Sequence, residues 1–201
     1  MRTVLRTFFN QMAATWDETV AEKDVTRLQR MSQRLEIKPG STVLDVGTGT
    51  GVFLPFILKR VGGQGRLVAL DLAEEMLRRA RAKGFSRNIE YLQADIASPP
   101  LSDEAFDAVV CYSSFPHFQN KAAALSEAKR VLKKGGRLFI CHTSSRKEIN
   151  DIHRQIPLLV NDILPGEDEM AIMLSAAGFA HVEVYDGNDS YFASATKPKV
   201  K

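Results

Sequence analysis

The sequence predicts an α/β domain, a doubly wound sheet of seven strands with helices on both faces. Three observations carry that expectation. From residue 42 to residue 142, short apolar runs alternate with stretches of helical periodicity. Apolar strands separated by amphipathic helices indicate a parallel sheet covered on both sides. A glycine-rich turn, Gly47-Thr-Gly-Thr-Gly51, follows the first of these strands. The last two strand-like runs are joined only by Asp186-Gly-Asn-Asp and neighbouring residues, too short a link for a crossover, so they pair antiparallel.

The elements follow in order. Val4, Leu5, Phe8, Phe9 and Met12 recur at helical spacing, and a second helical stretch runs from Thr19 to Leu35. Pro39-Gly40 then breaks the chain, separating an N-terminal helical segment, 1–36, from the main body, 37–201. Thr42 to Val46, Arg66 to Leu70, Ile89 to Gln93, Phe106 to Cys111 and Arg137 to His142 read as five parallel strands. Helices are expected over Phe53 to Arg60, Ala73 to Lys83 and Lys121 to Leu132. A helical insert around Ile149 to Ile163 precedes a helix from Glu167 to Ala177, closed by Gly178. His181 to Tyr185 and Tyr191 to Thr196 form the terminal hairpin.

Composition bounds the function. A chain of 201 residues, 44% apolar and 25% charged, is that of an ordinary soluble domain. No apolar run approaches the ~18 residues that span a bilayer. The N-terminus lacks the continuous apolar core of a secretory leader. The expectation is a cytoplasmic protein without a membrane partner. Cys111 and Cys141 have no CxxC spacing and read as buried free thiols. Net charge is only +3, and the basic run Lys197 to Lys201 reads as a solvated tail, so no nucleic-acid partner is expected.

The glycine turn carries the chemistry. Bare backbone at Gly47, Gly49 and Gly51 lets a ligand approach where side chains would block it. The third glycine comes one residue earlier than in the dinucleotide pattern Gly-x-Gly-x-x-Gly. Asp45, just before the turn, would repel a pyrophosphate and suit an ammonium group. Asp71 ends the second strand, 20 residues after Gly51, where an acid accepts both hydroxyls of a ribose; a helix cap is its structural alternative.

Five segments in order give a resemblance. Val43 to Gly51, Leu67-Val-Ala-Leu-Asp71, Tyr91-Leu-Gln-Ala-Asp95, Phe106-Asp-Ala-Val-Val-Cys-Tyr-Ser and Leu132-Lys-Lys-Gly-Gly-Arg-Leu138 are similar to the motifs of class I S-adenosylmethionine-dependent methyltransferases. The likeness is greatest to the small ones related to ubiquinone and menaquinone C-methyltransferases. The resemblance implies a Rossmann-like fold and S-adenosylmethionine as cofactor. Asp45, Gly47, Thr48, Gly49 and Gly51 would line its methionine end, and Asp71 would hold the ribose. Leu72 and Met76 would pack near the adenine, with Asp95 and Ile96 at its amino edge and Cys111 and Tyr112 as a floor beneath the donor. The stretch Phe9 to Asp17, including Trp16, is similar to a segment that closes over the cofactor, which makes residues 1–36 a lid. Phe9 stands where many relatives carry tyrosine.

Ligands of open α/β sheets bind outside the carboxyl ends of the strands. Three of the four histidines, His117, His142 and His153, fall in segments after the fourth and fifth strands. Direct displacement on a sulfonium leaves the protein to align the nucleophile and take its proton. His117 or His142 is the candidate base, since an imidazole titrates near working pH; a structural hydrogen bond is the plainer role for either. Convergence of all three on a metal is a remoter reading. Arg146 and Lys147 stand beside the same segment as anion holders or solvated charges. The apolar insert Ile149 to Leu164 reads as a pocket wall, a homodimer surface or core, which leaves the oligomeric state open. No Asn- or Asp-Pro-Pro-aromatic motif follows strand four, which argues against adenine-N6 and glutamine acceptors. A small-molecule acceptor is expected. The alternatives are a macromolecular acceptor, a non-catalytic cofactor-binding protein and, more remotely, an NAD-dependent oxidoreductase.

Overall fold

β1 (Thr42–Val46) sets the frame, because its side chains alternate between two apolar layers. In the computed structural model, which describes residues 2–85 and 88–199, Leu44 and Val46 enter one core and Val43 the other. The same parity runs through β4 (Phe106–Tyr112) and β5 (Leu132–His142): Val109, Leu138 and Ile140 face one side, and Val110, Phe139 and Cys141 the opposite side. A strand buried on both faces reads as a nearly continuous apolar run, broken in β1 near its end by Asp45. β2 (Arg66–Asp71), β3 (Ile89–Gln93), β6 (Ala180–Asp186) and β7 (Tyr191–Thr196) complete a seven-stranded sheet in the order β3-β2-β1-β4-β5-β7-β6. β1 to β5 pair in parallel and the β6–β7 hairpin joins antiparallel.

The helices cover both faces. α3 (Val25–Arg34) and α4 (Leu54–Val61) feed Leu28, Met31, Ile57 and Val61 into one core. α6 (Lys121–Val131) and α8 (Glu167–Ala176) feed Leu125, Ala128, Met170 and Leu174 into the other. α5 (Glu74–Ala82) lies under α1 (Arg2–Met12), and α7 (Arg146–Arg154) follows β5. The chain winds outward from β1 to β3, then returns to place β4 on the other flank of β1. At such a switch point the loops after two neighbouring strands part and leave a crevice.

Four departures from expectation have local causes. The stretch from Thr19 to Leu35 is not one helix: α2 (Trp16–Thr19) ends, and α3 restarts where the Asp24 carboxylate accepts the Thr26 and Arg27 N–H groups. The insert stays helical only to Arg154, ahead of Pro157, whose ring disfavours helical backbone before it. β5 starts at Leu132 rather than 137, with a register shift against β4 that absorbs the extra residues as a bulge. Lys197 is tied down, donating to the Leu132 carbonyl at 2.7 Å and pairing with Glu104; Val200 and Lys201 of the basic run lie outside the described residues. Both cysteines are free and buried. Among the described residues no helix is long and apolar enough to cross a membrane.

Leu44 is fully buried in the central strand. Its replacement by alanine is expected to lower unfolding stability by about 2–5 kcal/mol, read as an earlier urea midpoint with an unchanged slope.

Candidate active site

The turn after β1 is fastened to the end of β2 by main-chain bonds. The N–H groups of Gly47 and Thr48 both donate to the Leu70 carbonyl, at 2.8 and 3.0 Å. Gly47 has a φ of +70°, and a Cβ there would stand 2.4 Å from the Ser114 Cβ, so only glycine fits. The Ser114 hydroxyl in turn donates to the Val46 carbonyl at 2.6 Å. The turn after β1 and the loop after β4 are thereby fixed against each other. Gly51, with a φ of +83°, faces Leu54, Phe85 and Ala80.

Two carboxylates lie beneath this turn. Asp45 is 2% exposed, and its Oδ2 accepts the Thr48 hydroxyl at 2.5 Å. Asp71 accepts the N–H of Gly49 on one oxygen and of Ala73 on the other, both at 2.8 Å; it thus orders the turn and the entry to α5 together. Burial pushes Asp45 up to about 7, with the Thr48 hydroxyl opposing and the Asp71 charge adding. Burial pushes Asp71 up to about 6 against the pull of its N–H donors and of His117. Two acids held this reluctantly as anions gain from a nearby cation.

Above the turn opens a cavity of about 780 Å³, its mouth included. Gly47 and Gly49 form its base. Asp71 and Asp95 supply polar edges, and Leu72, Met76 and Ile96 an apolar slot. Phe9 and Trp16 roof it, their rings edge to face at 5.8 Å. α1 is held over the cavity by a two-pronged bond from Arg6 to Glu74, at 2.7 and 2.8 Å. The Asn10 side chain accepts the Glu75 N–H. Just beyond, Asp17 takes the Thr50 hydroxyl and pairs with Lys83 at 2.7 Å. Residues 25–37 have a different placement, with Leu28, Met31, Leu35 and Ile37 in the core.

Some expected site residues stand apart from the cavity. Asp45 and Thr48 sit behind the turn, bonded to each other. Cys111 and Tyr112 do not form the floor: Cys111 belongs to one core, while Tyr112 stacks on Phe53 at 4.3 Å and its hydroxyl meets Thr143. The surface expected of them is supplied by Ser113 and Ser114, one step further along.

The histidines separate in role. His117 lines the cavity in a short 3-10 turn, Phe115–His117. Its ring meets Phe9 at 5.1 Å, and its Nδ1 lies 2.9 Å from Asp162 Oδ2. His142 is 3% exposed and does not line the cavity. Burial, with His117 and His153 nearby, pushes it down to about 3, and among the described residues its Nε2 has no hydrogen-bond partner. Buried and off the cavity wall, His142 is not placed to meet an acceptor there. His153 stands 4.8 Å from His117, ring to ring, with its Nδ1 on the Asp162 main-chain carbonyl. Despite this proximity, the described residues hold no group of three or more His, Cys, Asp or Glu suited to a metal ion. Arg146 and Lys147 are engaged by Asp186 and Asp151.

This donor set fits a cationic amino-acid nucleoside: bare backbone over buried acids at one end, an apolar slot with acidic edges at the other. A pyrophosphate would meet two carboxylates. The comparisons agree. A model of the methyltransferase domain matches residues 44–140. The chain is 26% identical to a ubiquinone/menaquinone biosynthesis C-methyltransferase of Methylococcus capsulatus, over 88% of this chain and 87% of that one. A solved S-adenosylmethionine-dependent methyltransferase from Aquifex aeolicus is 27% identical with a TM-score of 0.72, covering 95% and 97% of the two chains. The fold is also that of a chain in a Haloferax volcanii complex between the Trm112 methyltransferase activator and a methyltransferase. There the TM-score is 0.80 at 22% identity, covering 95% of this chain and 98% of that one. Nothing among these favours an oxidoreductase.

Burial lifts Asp45 above its usual 3.8, so the ligand-free fold prefers it protonated. The stabilising effect of that proton is complete below pH 3.8 and lost as pH rises through about 7. A cationic ligand reverses the preference. Calorimetry should therefore show S-adenosylmethionine, a sulfonium, binding more weakly as pH falls from 8 to 5, by up to about tenfold per unit. Asp45→Asn is expected to flatten that slope and to raise the melting temperature of the ligand-free protein more at pH 8 than at pH 5. An affinity level across the range would contradict the electrostatic account.

Proposed function

We propose that the chain, similar as it is to class I S-adenosylmethionine-dependent methyltransferases, methylates a small, partly apolar acceptor, with His117 taking the acceptor's proton. The observation that carries this reading is the placement of His117 on the cavity wall with Nδ1 engaged by Asp162; on this reading Nε2 serves the acceptor. The Methylococcus capsulatus relative, named for ubiquinone and menaquinone biosynthesis, supports a small organic acceptor.

Bound in the cavity, S-adenosylmethionine supplies a methyl group already activated on a positive sulfur. Gly47 and Gly49 bring main chain to the amino-acid end, with Asp45 and Thr48 fixing the turn from behind. Asp71 takes the ribose hydroxyls. Leu72, Met76 and Ile96 sandwich the base, and Asp95 receives its amino group. Ser114, His117 and Phe118 form the acceptor's side. The acceptor's X–H bond would give up its proton to Nε2 of His117 as its electron pair forms the new bond to the methyl carbon, while the carbon–sulfur bond breaks and its pair returns to sulfur, leaving S-adenosylhomocysteine. Alignment within an apolar enclosure supplies most of the acceleration. α1 and the segment through Trp16 act as the lid. Phe9 closes off the donor and touches His117 in one position.

Transfer of labelled methyl to a panel of phenols, amines and thiols, set beside bulk RNA and protein, tests the reading. Label in small acceptors is the expected outcome; label only in RNA or protein would overturn it. His117→Ala is expected to lower kcat by about 10²- to 10⁴-fold and to leave S-adenosylhomocysteine affinity nearly unchanged. The half-exposed Arg6–Glu74 pair is worth at most about 1 kcal/mol. Arg6→Ala should thus speed S-adenosylhomocysteine release no more than about fivefold in stopped-flow displacement.

A further inference from the structure

Residue 162 receives two imidazoles at once. His117 Nδ1 meets its carboxylate at 2.9 Å, and His153 Nδ1 meets its main-chain carbonyl. The second contact fixes a proton without ambiguity. A carbonyl oxygen only accepts, so Nδ1 of His153 carries the hydrogen. An ionised carboxylate likewise only accepts, and the same argument puts the hydrogen of neutral His117 on Nδ1. Free imidazole in water prefers its hydrogen on Nε2, so a partner must impose the opposite tautomer.

The loop that carries this partner is built to hold it. After α7 the chain has no regular structure until α8, yet it is clamped from within. Asn150 donates to the Leu164 carbonyl at 3.1 Å and accepts the Leu164 N–H at 2.8 Å, and the Asp162 N–H donates to Leu159. His153, on the same helix face as Asn150, adds its bond to residue 162. The Asp162 side chain is only 8% exposed. Lys121, whose ammonium donates to the Pro116 and Phe118 carbonyls, lies near enough to interact with its charge. A buried carboxylate thus faces His117 from one side while the cavity opens on the other.

We infer that Asp162 is the positioning residue of His117: its carboxylate holds the ring in the Nδ1–H tautomer and leaves the Nε2 lone pair to the acceptor. This rests on the reading of His117 as the proton acceptor. Loss of the carboxylate turns the lone pair away from the cavity even where the fold is intact. A merely structural tie between the loop and the 3-10 turn would leave the rate of methyl transfer unchanged when the tautomer changes.

The test is long-range ¹H–¹⁵N correlation of the imidazoles in the full chain saturated with S-adenosylhomocysteine, at a pH where the rings are neutral. His117→Gln, His142→Gln and His153→Gln assign the signals. In the wild type, His117 and His153 are expected as Nδ1–H. In Asp162→Ala, His117 is expected to change to Nε2–H while His153 stays, because its acceptor is main chain; His153 is the internal control. Asp162→Asn, whose amide oxygen still accepts, is expected to restore the Nδ1–H form. Methyl transfer should fall about 10- to 100-fold in Asp162→Ala with KM for S-adenosylmethionine unchanged, and recover in part in Asp162→Asn. An Nε2–H His117 in the wild type, or an unchanged tautomer in Asp162→Ala, overturns the inference and needs no acceptor to be seen. Wild-type transfer rates in His117→Ala would instead overturn the base reading, whatever the spectra show.

Discussion

The passage of Gly47 under Ser114 is the constraint on which the rest of the site depends. The two residues follow β1 and β4, the strands that flank the switch in winding direction. Their contact leaves no space for a methyl group, and the Ser114 hydroxyl fastens the two strand ends through the Val46 carbonyl. Below this junction lie the groups suited to a positively charged nucleoside; above it the loop runs on to His117. A fixed distance between the two halves is what a direct displacement demands, since misplacement by an ångström costs orders of magnitude in rate. The junction is made of main chain and one small hydroxyl, with little in it that can swing.

The acids beneath the turn show what this arrangement costs. Asp45 and Asp71 are buried close enough to feel each other's charge, a placement that burial alone opposes. Neither forms an ion pair among the described residues; both are held by hydroxyl or N–H donors. The fold therefore carries a local electrostatic debt that a cationic ligand relieves, and ligand affinity draws on it. Strain of this kind gathers at binding sites, where it is part of the recognition.

Much of this was legible in the residues. The two-face parity of Val43, Leu44 and Val46 is written as a continuous apolar run, and β1, β3 and β7 fall at their expected bounds. The glycine turn with Asp45 and Asp71 was equally plain, because spacing along the chain fixes spacing in space across one strand and one turn. Cys111, Tyr112 and His142 stand off the cavity wall for a shared reason: being at a strand's carboxyl end does not say which way a side chain faces. Strand parity sends Cys111 and Tyr112 into opposite cores. The antiparallel β7 sets Tyr191 against His142 and seals it. Asp162 gave no signal at all. It meets His117 across 45 residues, from a loop whose path depends on the Asn150 clamp, and no local pattern encodes that.

Phe9 has a consequence of its own. Its ring lies edge-on to both Trp16 and His117, and a phenyl ring has no hydrogen to exchange. Where Phe9 covers the chamber, the ceiling is chemically mute. Proton traffic within the chamber therefore falls to its side walls, where His117, Asp71 and Asp95 stand.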